Sequence, residues 1–183
     1  MTYDPQKAAQ TIAFFAMQEG ATINILKVVK LVYLADRESL KRRGHPIQDE
    51  VRVSMPYGPV NSTTLDYLNG AYRNDGGWSE YLTDRANHQV ALSDESMTVG
   101  SLNALSEGDI GILESVWQQF GAMNEFDLAD WTHNHIVEWQ DPNGSSRPIP
   151  LDRIMTAIGL DRPIERAREL QSLGRASDIL ASL

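Results

Sequence analysis

Two histidines that stand one residue apart, His133 and His135, are the clearest candidates for chemistry in this sequence. They lie in the stretch DLADWTHNHIVEW, between two tryptophans and beside several carboxylates. A His-x-His pair can hold one metal ion when both side chains share a face, as residues i and i+2 do in a β-strand. In an α-helix the same side chains point about 200° apart, so the secondary structure of this stretch decides the question.

The residues around the two histidines predict an α-helix. Asn124 and Asp127 have the spacing of an N-terminal capping box, and helical apolar spacing continues through at least His133. We therefore interpret one histidine as a half-buried hydrogen-bonding group near Trp139 and expect no metal site. A metal-dependent enzyme that uses His133 and His135 is the alternative, and it needs further ligands from elsewhere in the chain. The apolar residues of this pattern are Phe126, Leu128, Ala129 and Trp131.

Other common catalytic signatures do not occur in the sequence. It contains no phosphate-binding loop, no Gly-x-Ser-x-Gly elbow and no His-Glu-x-x-His motif. The lack of cysteine excludes thiol nucleophiles and cysteine-bound metals. We therefore predict a protein that is not an enzyme, with no catalytic residue and no cofactor.

Composition and charge favour a soluble protein that binds other proteins. The 183 residues are 42% hydrophobic and carry a formal net charge of −9, which makes nucleic acid a poor candidate partner. No apolar run reaches the roughly 18 residues of a membrane span, and the N-terminal residues lack the pattern of a signal peptide. We expect a cytoplasmic location and no membrane partner.

Capping residues mark the first two helices. Asp4 and Pro5 are typical of a helix start, and Gly20 is typical of its end. Thr22 is expected to cap a second helix that ends at Gly44, after three basic residues that suit a helix C-terminus.

Short β-strands are expected in the middle of the chain. Residues 51–55 alternate apolar and polar side chains and predict a strand. The following MPYGPV, residues 55–60, is predicted to be a rigid corner, with Pro59 opening a helix. Residues 78–83 and 88–92 are expected to pair as a small hairpin.

Further helices are predicted in the C-terminal half. Ser106 and Asp109 form a capping box for a helix that Gly121 ends. Beyond the histidine-containing helix, two short helices are each opened by a proline and closed by Gly159 and Gly174.

The elements together predict a mainly α fold, a compact helical domain with a small β-hairpin or short antiparallel strands. We expect one domain over residues 1–160. Residues 161–183 are expected to form a C-terminal helical extension that packs on that domain or projects from it.

A basic segment stands out in this acidic chain. Lys27, Lys30, Arg37 and Lys41 are spaced by three, seven and four residues, which places them on one stripe of the second helix. Such a stripe is either a solvated face with internal ion pairs or a docking surface for an acidic partner, and the first interpretation is favoured because exposed charges are common. The candidate partner-binding residues are Lys27, Lys30, Arg37, Lys41, Arg42 and Arg43.

Three stretches in this order resemble a known family. They are KLVYLADRESLKRRGHPI, MPYGPV and the segment from LSEGDIG to IVEW. They are similar to the Panacea domain of SocA-like antitoxins, a family that includes phage-associated GepA proteins, over roughly residues 5 to 158. The matching positions, most of which we expect to build the shared scaffold rather than contact the toxin, are Lys30, Tyr33, Leu34, Pro56, Tyr57, Gly58, Pro59, Thr132, His133 and Trp139.

The resemblance implies an antitoxin of a prokaryotic or phage toxin–antitoxin system. Members of the family neutralise a cognate protein toxin by binding it directly. The SocA type is also a proteolytic adaptor that delivers its toxin to the ClpXP protease, and that activity is the alternative. The resemblance carries no catalytic activity, and it leaves His135 outside the family pattern.

Overall fold

The computed structural model describes residues 3–72, 76–83 and 87–181. Over these residues the chain forms seven α-helices and five short β-strands, which confirms the mainly α fold with small antiparallel sheets. The helices are α1 (Pro5–Glu19), α2 (Ile25–Arg43), α3 (Ser62–Leu68), α4 (Glu107–Phe120), α5 (Glu125–His135), α6 (Leu151–Ala157) and α7 (Pro163–Ala181). The strands are β1 (Thr22–Asn24), β2 (Arg52–Met55), β3 (Gly58–Asn61), β4 (Gln89–Ala91) and β5 (Arg147–Pro148).

Helix α1 begins and ends where the sequence predicted. The Asp4 carboxylate accepts the backbone N–H of Lys7 at 3.1 Å, and Pro5 occupies the first helical position. Gly20 ends the helix with a φ of 96°, a conformation that glycine adopts without strain.

Helix α2 is the centre of the fold because its side chains are buried on most sides. Helices α1, α4, α5 and α6 and strand β3 all pack around it. The predicted cap Thr22 is wrong: Asn24 caps α2 by accepting the N–H of Leu26 at 2.8 Å. Thr22 instead pairs with Ala91 in the β1–β4 ladder, which delays the start of the helix.

Strands β2 and β3 form a tight antiparallel hairpin. The ladder pairs Met55 with Gly58, so Pro56 and Tyr57 are the two residues of the turn. The strand prediction for residues 51–55 is confirmed, but the prediction that Pro59 opens a helix is wrong. Pro59 lies in β3, because two prolines around a glycine suit a hairpin as well as a corner.

The predicted hairpin of residues 78–83 and 88–92 is largely wrong. Trp78–Glu80 form a 3-10 turn, and a single bridge joins Leu82 to Leu92. Strand β4 pairs with β1, which lies more than sixty residues earlier in the chain, and local sequence patterns do not report such distant partners. Residues 84–86 lie outside the described residues.

Helices α4 and α5 begin at the predicted capping residues. Ser106 Oγ accepts the N–H of Asp109 at 3.1 Å, and the Asp109 carboxylate accepts the N–H of Ser106 at 3.0 Å. The Asn124 side chain accepts the N–H groups of Phe126 and Asp127 at the start of α5. Both helices pack on α2.

Helices α6 and α7 form the C-terminal part of the structure. α7 packs on α6 through buried residues such as Ala167. The prediction that this helix ends at Gly174 is wrong, since α7 continues to Ala181, and the distal residues Leu173 and Leu180 are exposed. No helix within the described residues combines the length and apolarity that crossing a membrane requires.

Candidate functional site

The two histidines lie at the C-terminal end of α5 and face different tryptophans. The His133 ring is 4.1 Å from the Trp139 ring, and the His135 ring stacks on Trp131 at 4.7 Å, measured between ring centroids. The predicted helix through His133 is confirmed. The half-buried histidine is not: both histidines are exposed, although a tryptophan packs on one face of each ring. Over the described residues, no three His, Asp or Glu side chains are grouped as metal ligands.

The Thr-His motif meets the Tyr-Gly-Pro motif at Gly58. A Cβ atom at this position would lie 2.7 Å from Thr132 Oγ1, and the φ of Gly58 is 94°. The hairpin backbone therefore lies directly on α5, and both the close approach and the positive φ require glycine. Thr132 is fully buried and donates its hydroxyl to the carbonyl of Ala129 at 2.9 Å.

Lys30 joins α2 to the same hairpin. Its side chain is 1% exposed, and its Nζ atom donates to the carbonyl of Pro59 at 3.1 Å. Burial lowers the pKa of Lys30 from 10.5 to about 7, because removal from water disfavours the charged ammonium. The lysine is therefore an internal connection rather than a surface charge.

A second buried connection joins α2 to the segment after α5. The Glu138 carboxylate accepts the Tyr33 hydroxyl at 2.9 Å and Arg37 Nε at 2.7 Å. Burial, together with the neighbouring Glu138 carboxylate, raises the pKa of the Tyr33 hydroxyl, so tyrosine stays a donor. The role of Glu138 could not be predicted from the sequence, because its partners Tyr33 and Arg37 lie about a hundred residues earlier in the chain.

Trp139 closes the connection on the hairpin side. Its indole Nε1 donates to the carbonyl of Met55 at 2.9 Å, and the next residue, Gln140, donates its backbone N–H to Ser54 Oγ at 3.1 Å. Of the other motif positions, Leu34 is buried. The motif residues thus hold α2, the β2–β3 hairpin and the end of α5 together, with the turn residues Pro56 and Tyr57 exposed.

A large apolar groove lies beside this cluster. Its volume is about 930 Å³, and it is lined by the first turns of α2, the β2–β3 turn, α3 and the start of α5. Two aromatic side chains in its lining, Tyr57 and Phe126, are 73% and 69% exposed. Exposed apolar surface on this scale is typical of ligand and protein interaction sites. The apolar lining residues include Ile25, Leu26, Val29, Met55, Val60 and Leu65.

The comparison with protein families agrees with the motif geometry. The family model described as "Antitoxin SocA-like, Panacea domain" matches residues 28–140. The chain belongs to this family. No significant match was found among curated proteins or among solved structures.

The Panacea domain match spans α2 through the end of the motif segment. It includes Gly58 of the β2–β3 hairpin together with Lys30, Thr132 and Trp139, which contact that hairpin from other parts of the chain. It leaves out α1, α6 and α7. The two-part division at residue 160 stays a prediction.

Most of the basic stripe of this Panacea protein is turned inward. Lys27 is 4% exposed and binds the Glu19 carboxylate at 2.6 Å and the carbonyl of Gly121 at 2.8 Å. Arg43 binds the buried Asp109 at 2.7 Å. Burial alone would raise the pKa of Asp109, but hydrogen bonds from Arg43, Ser106 and Lys7 lower it to about 2.

The other candidate partner-binding residues differ in exposure. Lys30 and Arg37 belong to the motif cluster, whereas Lys41 and Arg42 are exposed, and Arg42 pairs with Glu38 one helical turn away. A docking role for the six residues stays a prediction, and the burial of Lys27 and Lys30 does not favour it. The sequence could not show this because their partners lie on other elements.

A buried polar network under the hairpin was also missed from the sequence. Asp36 accepts the N–H groups of Ile47 and Gln48 through Oδ1, and its Oδ2 accepts from Arg52 at 2.8 Å and Asn61 at 2.7 Å. These bonds fix the loop after α2 and the base of the hairpin. The position of the groove wall therefore depends on interior polar contacts.

Proposed function

We propose that this protein is an antitoxin that neutralises a cognate protein toxin by direct, stoichiometric binding in the cytoplasm. Membership of the SocA-like antitoxin family supports the antitoxin role. The observation that carries the binding mechanism is the apolar groove with Tyr57 and Phe126 exposed in its lining.

The groove has the properties of a preformed binding surface. Tyr57 lies on a two-residue turn that is fixed by the Trp139–Met55 hydrogen bond and by the contact of Gly58 with Thr132. Phe126 lies in the first turn of α5, which Asn124 caps. A rigid surface loses little conformational entropy on binding, and aromatic anchors carry much of the energy of protein interfaces.

Co-expression tests the proposal. The gene of this protein would be expressed together with an adjacent reading frame whose product arrests growth on its own. We expect growth to be restored and the two products to co-purify in a fixed ratio. Restored growth without a complex, or continued arrest with both proteins present, would contradict direct neutralisation.

A proteolytic adaptor is the second candidate, and the exposed end of α7 favours it. Leu173 and Leu180 are 65% and 72% exposed on a helix that lies beyond the family match, so they are available to a protease such as ClpXP. Under this mechanism neutralisation requires the protease. Growth restoration should therefore be compared in cells with and without ClpXP, and rescue that persists without it excludes the adaptor.

A further inference from the structure

The groove combines a mainly apolar lining with two exposed aromatic side chains, Tyr57 and Phe126. Ile25 and Val29 of α2, Val60 of β3 and Leu65 of α3 all contribute to its lining. Within the described lining the one lysine is Lys30, which is buried and donates to the carbonyl of Pro59, so its ammonium is not exposed to an acidic ligand.

Exposed carboxylates lie close in sequence to the lining residues of the groove on α3 and α5. Asp66 follows the lining residue Leu65 on α3, and Asp130 lies one turn beyond the lining residue Phe126 on α5. Both aspartates are exposed, and among the described residues neither carboxylate has a hydrogen-bond or ion-pair partner.

Three more carboxylates complete this set, which we call the acidic border of the groove. Glu125 lines the groove, Asp127 follows Phe126, and Asp141 begins the loop that leads to the lining residues 144–146. In the described part of these border segments the exposed cation is Arg147. Five carboxylates and one exposed arginine thus lie in or beside the mainly apolar lining of the groove, which also contains the buried Lys30.

We propose that the groove binds a cationic amphipathic segment of the toxin. Its apolar side chains pack between Tyr57 and Phe126, and its lysines or arginines lie on the acidic border around them. The assignment rests on the proposed antitoxin function and names the chemistry of the toxin surface. Charge complementarity selects this partner, because opposite potentials speed encounter and oppose partners of the wrong sign.

Two other occupants fit the charge pattern less well. An acidic segment would bring like charges to Asp66 and Asp130, while the one lysine of the described lining, Lys30, is buried. A second copy of this chain, which also carries a net charge of −9, would place two acidic borders against each other in a symmetric dimer. The carboxylates beside the groove attract a cationic partner, whereas they repel an acidic segment or a second copy of this acidic chain.

Substitution of the exposed aromatic anchors tests the apolar part of the proposal. Purified Tyr57→Ser and Phe126→Ser variants would be titrated with the purified cognate toxin. We expect each to weaken binding by about tenfold or more, as truncated aromatic hot spots do. Val137→Ser is the matched control, since Val137 is 73% exposed outside the groove and should bind like the unchanged protein. Thermal unfolding checks that all three variants stay folded.

Charge reversal tests the cationic part. Asp66→Lys with Asp130→Lys changes the net charge by +4, and so does the control pair Glu95→Lys with Glu114→Lys, at exposed sites away from the groove. We expect the border pair to slow association by about tenfold at low salt, with a smaller effect at high salt, and the control pair to change it much less.

The outcomes separate this proposal from the proposed function. If the unchanged protein binds the toxin and every groove and border variant binds it equally well, the groove assignment is overturned and the antitoxin function still stands. Loss with the aromatic variants but equal or faster association of the border pair overturns the cationic partner. A dimer that becomes a monomer on Tyr57→Ser or Phe126→Ser shows a second copy in the groove and overturns the proposal. If the unchanged protein does not bind toxin, both proposals fail together.

Discussion

At the residue scale, the family motifs act through interior contacts. Gly58, Lys30 and Trp139 are distant in sequence, yet each fixes the β2–β3 hairpin against a helix. The motif residues accordingly support the groove, and its exposed anchors, Tyr57 and Phe126, are the ones placed to meet a partner. Substitutions at the buried motif positions should therefore lower stability first and toxin binding as a consequence.

Gly58→Ala should destabilise the protein more than a glycine substitution with the same backbone strain. The control is Gly20→Ala, because Gly20 has a φ of 96°, close to the 94° of Gly58, and no atom within 4 Å of the added Cβ. At Gly58 the Cβ would meet Thr132 Oγ1 at 2.7 Å, so we expect a further loss of about 1–3 kcal/mol from overpacking. Urea unfolding measures both variants, and equal losses would contradict the close-packing role of Gly58.

Lys30 should make the stability depend on pH above neutrality. Its pKa is about 7 in the folded protein and 10.5 in the unfolded chain, so between these values the unfolded chain binds more protons. The free energy of unfolding should therefore rise with pH across this window, by up to about 1.4 kcal/mol per pH unit from this group. Below about pH 7 both states carry the charge and the slope disappears.

The Lys30→Met variant is the control for this pH dependence. It removes the titrating group and leaves the other ionisable residues in place, so the difference between the two proteins isolates Lys30. Urea unfolding from about pH 7 to 9 should show a rising difference in favour of the unchanged protein, within the window set by its pKa values. Parallel pH profiles would show that burial does not lower the pKa of Lys30 in the folded protein.

At the element scale, the sequence predicted the helix starts that local capping residues determine. It missed the strand pairing that depends on residues far apart in the chain. The starts of α1, α4 and α5 follow from Asp4, Ser106 and Asn124, whose side chains accept hydrogen bonds two or three residues away. The β1–β4 ladder brings Thr22 to Ala91, and nothing near either residue indicates the other. The groove was missed for the same reason, since its lining comes from several elements that only the tertiary fold brings together.

Helix α7 is an addition to the domain by this account, and its removal should leave a folded protein. A chain of residues 1–160 loses the buried Ala167 and the partly buried Leu170, which pack on the core. We expect the free energy of unfolding to fall by about 2 kcal/mol, the cost of exposing one or two apolar side chains. Urea unfolding should still be cooperative, and loss of the cooperative transition would contradict the boundary at residue 160.

At the scale of the whole molecule, charge is distributed differently from the expectation of a basic docking face. Lys27 and Lys30 are buried and Arg37 and Arg43 are paired, so the cations of α2 mostly serve the interior. The acidic excess stays at the surface and includes the border of the groove. The family and the net charge of −9 follow from the sequence. Which of the individual charges are buried depends on the tertiary structure.

The stoichiometry of neutralisation tests the central claim most directly. The purified toxin would be titrated with increasing amounts of this protein, and its residual activity and the mass of the products measured together. A binding antitoxin predicts a linear loss of toxin activity that ends at a fixed molar ratio, with all toxin in a complex of that composition. Complete neutralisation by a small fraction of an equivalent, with free toxin remaining, would contradict direct binding and indicate catalysis instead.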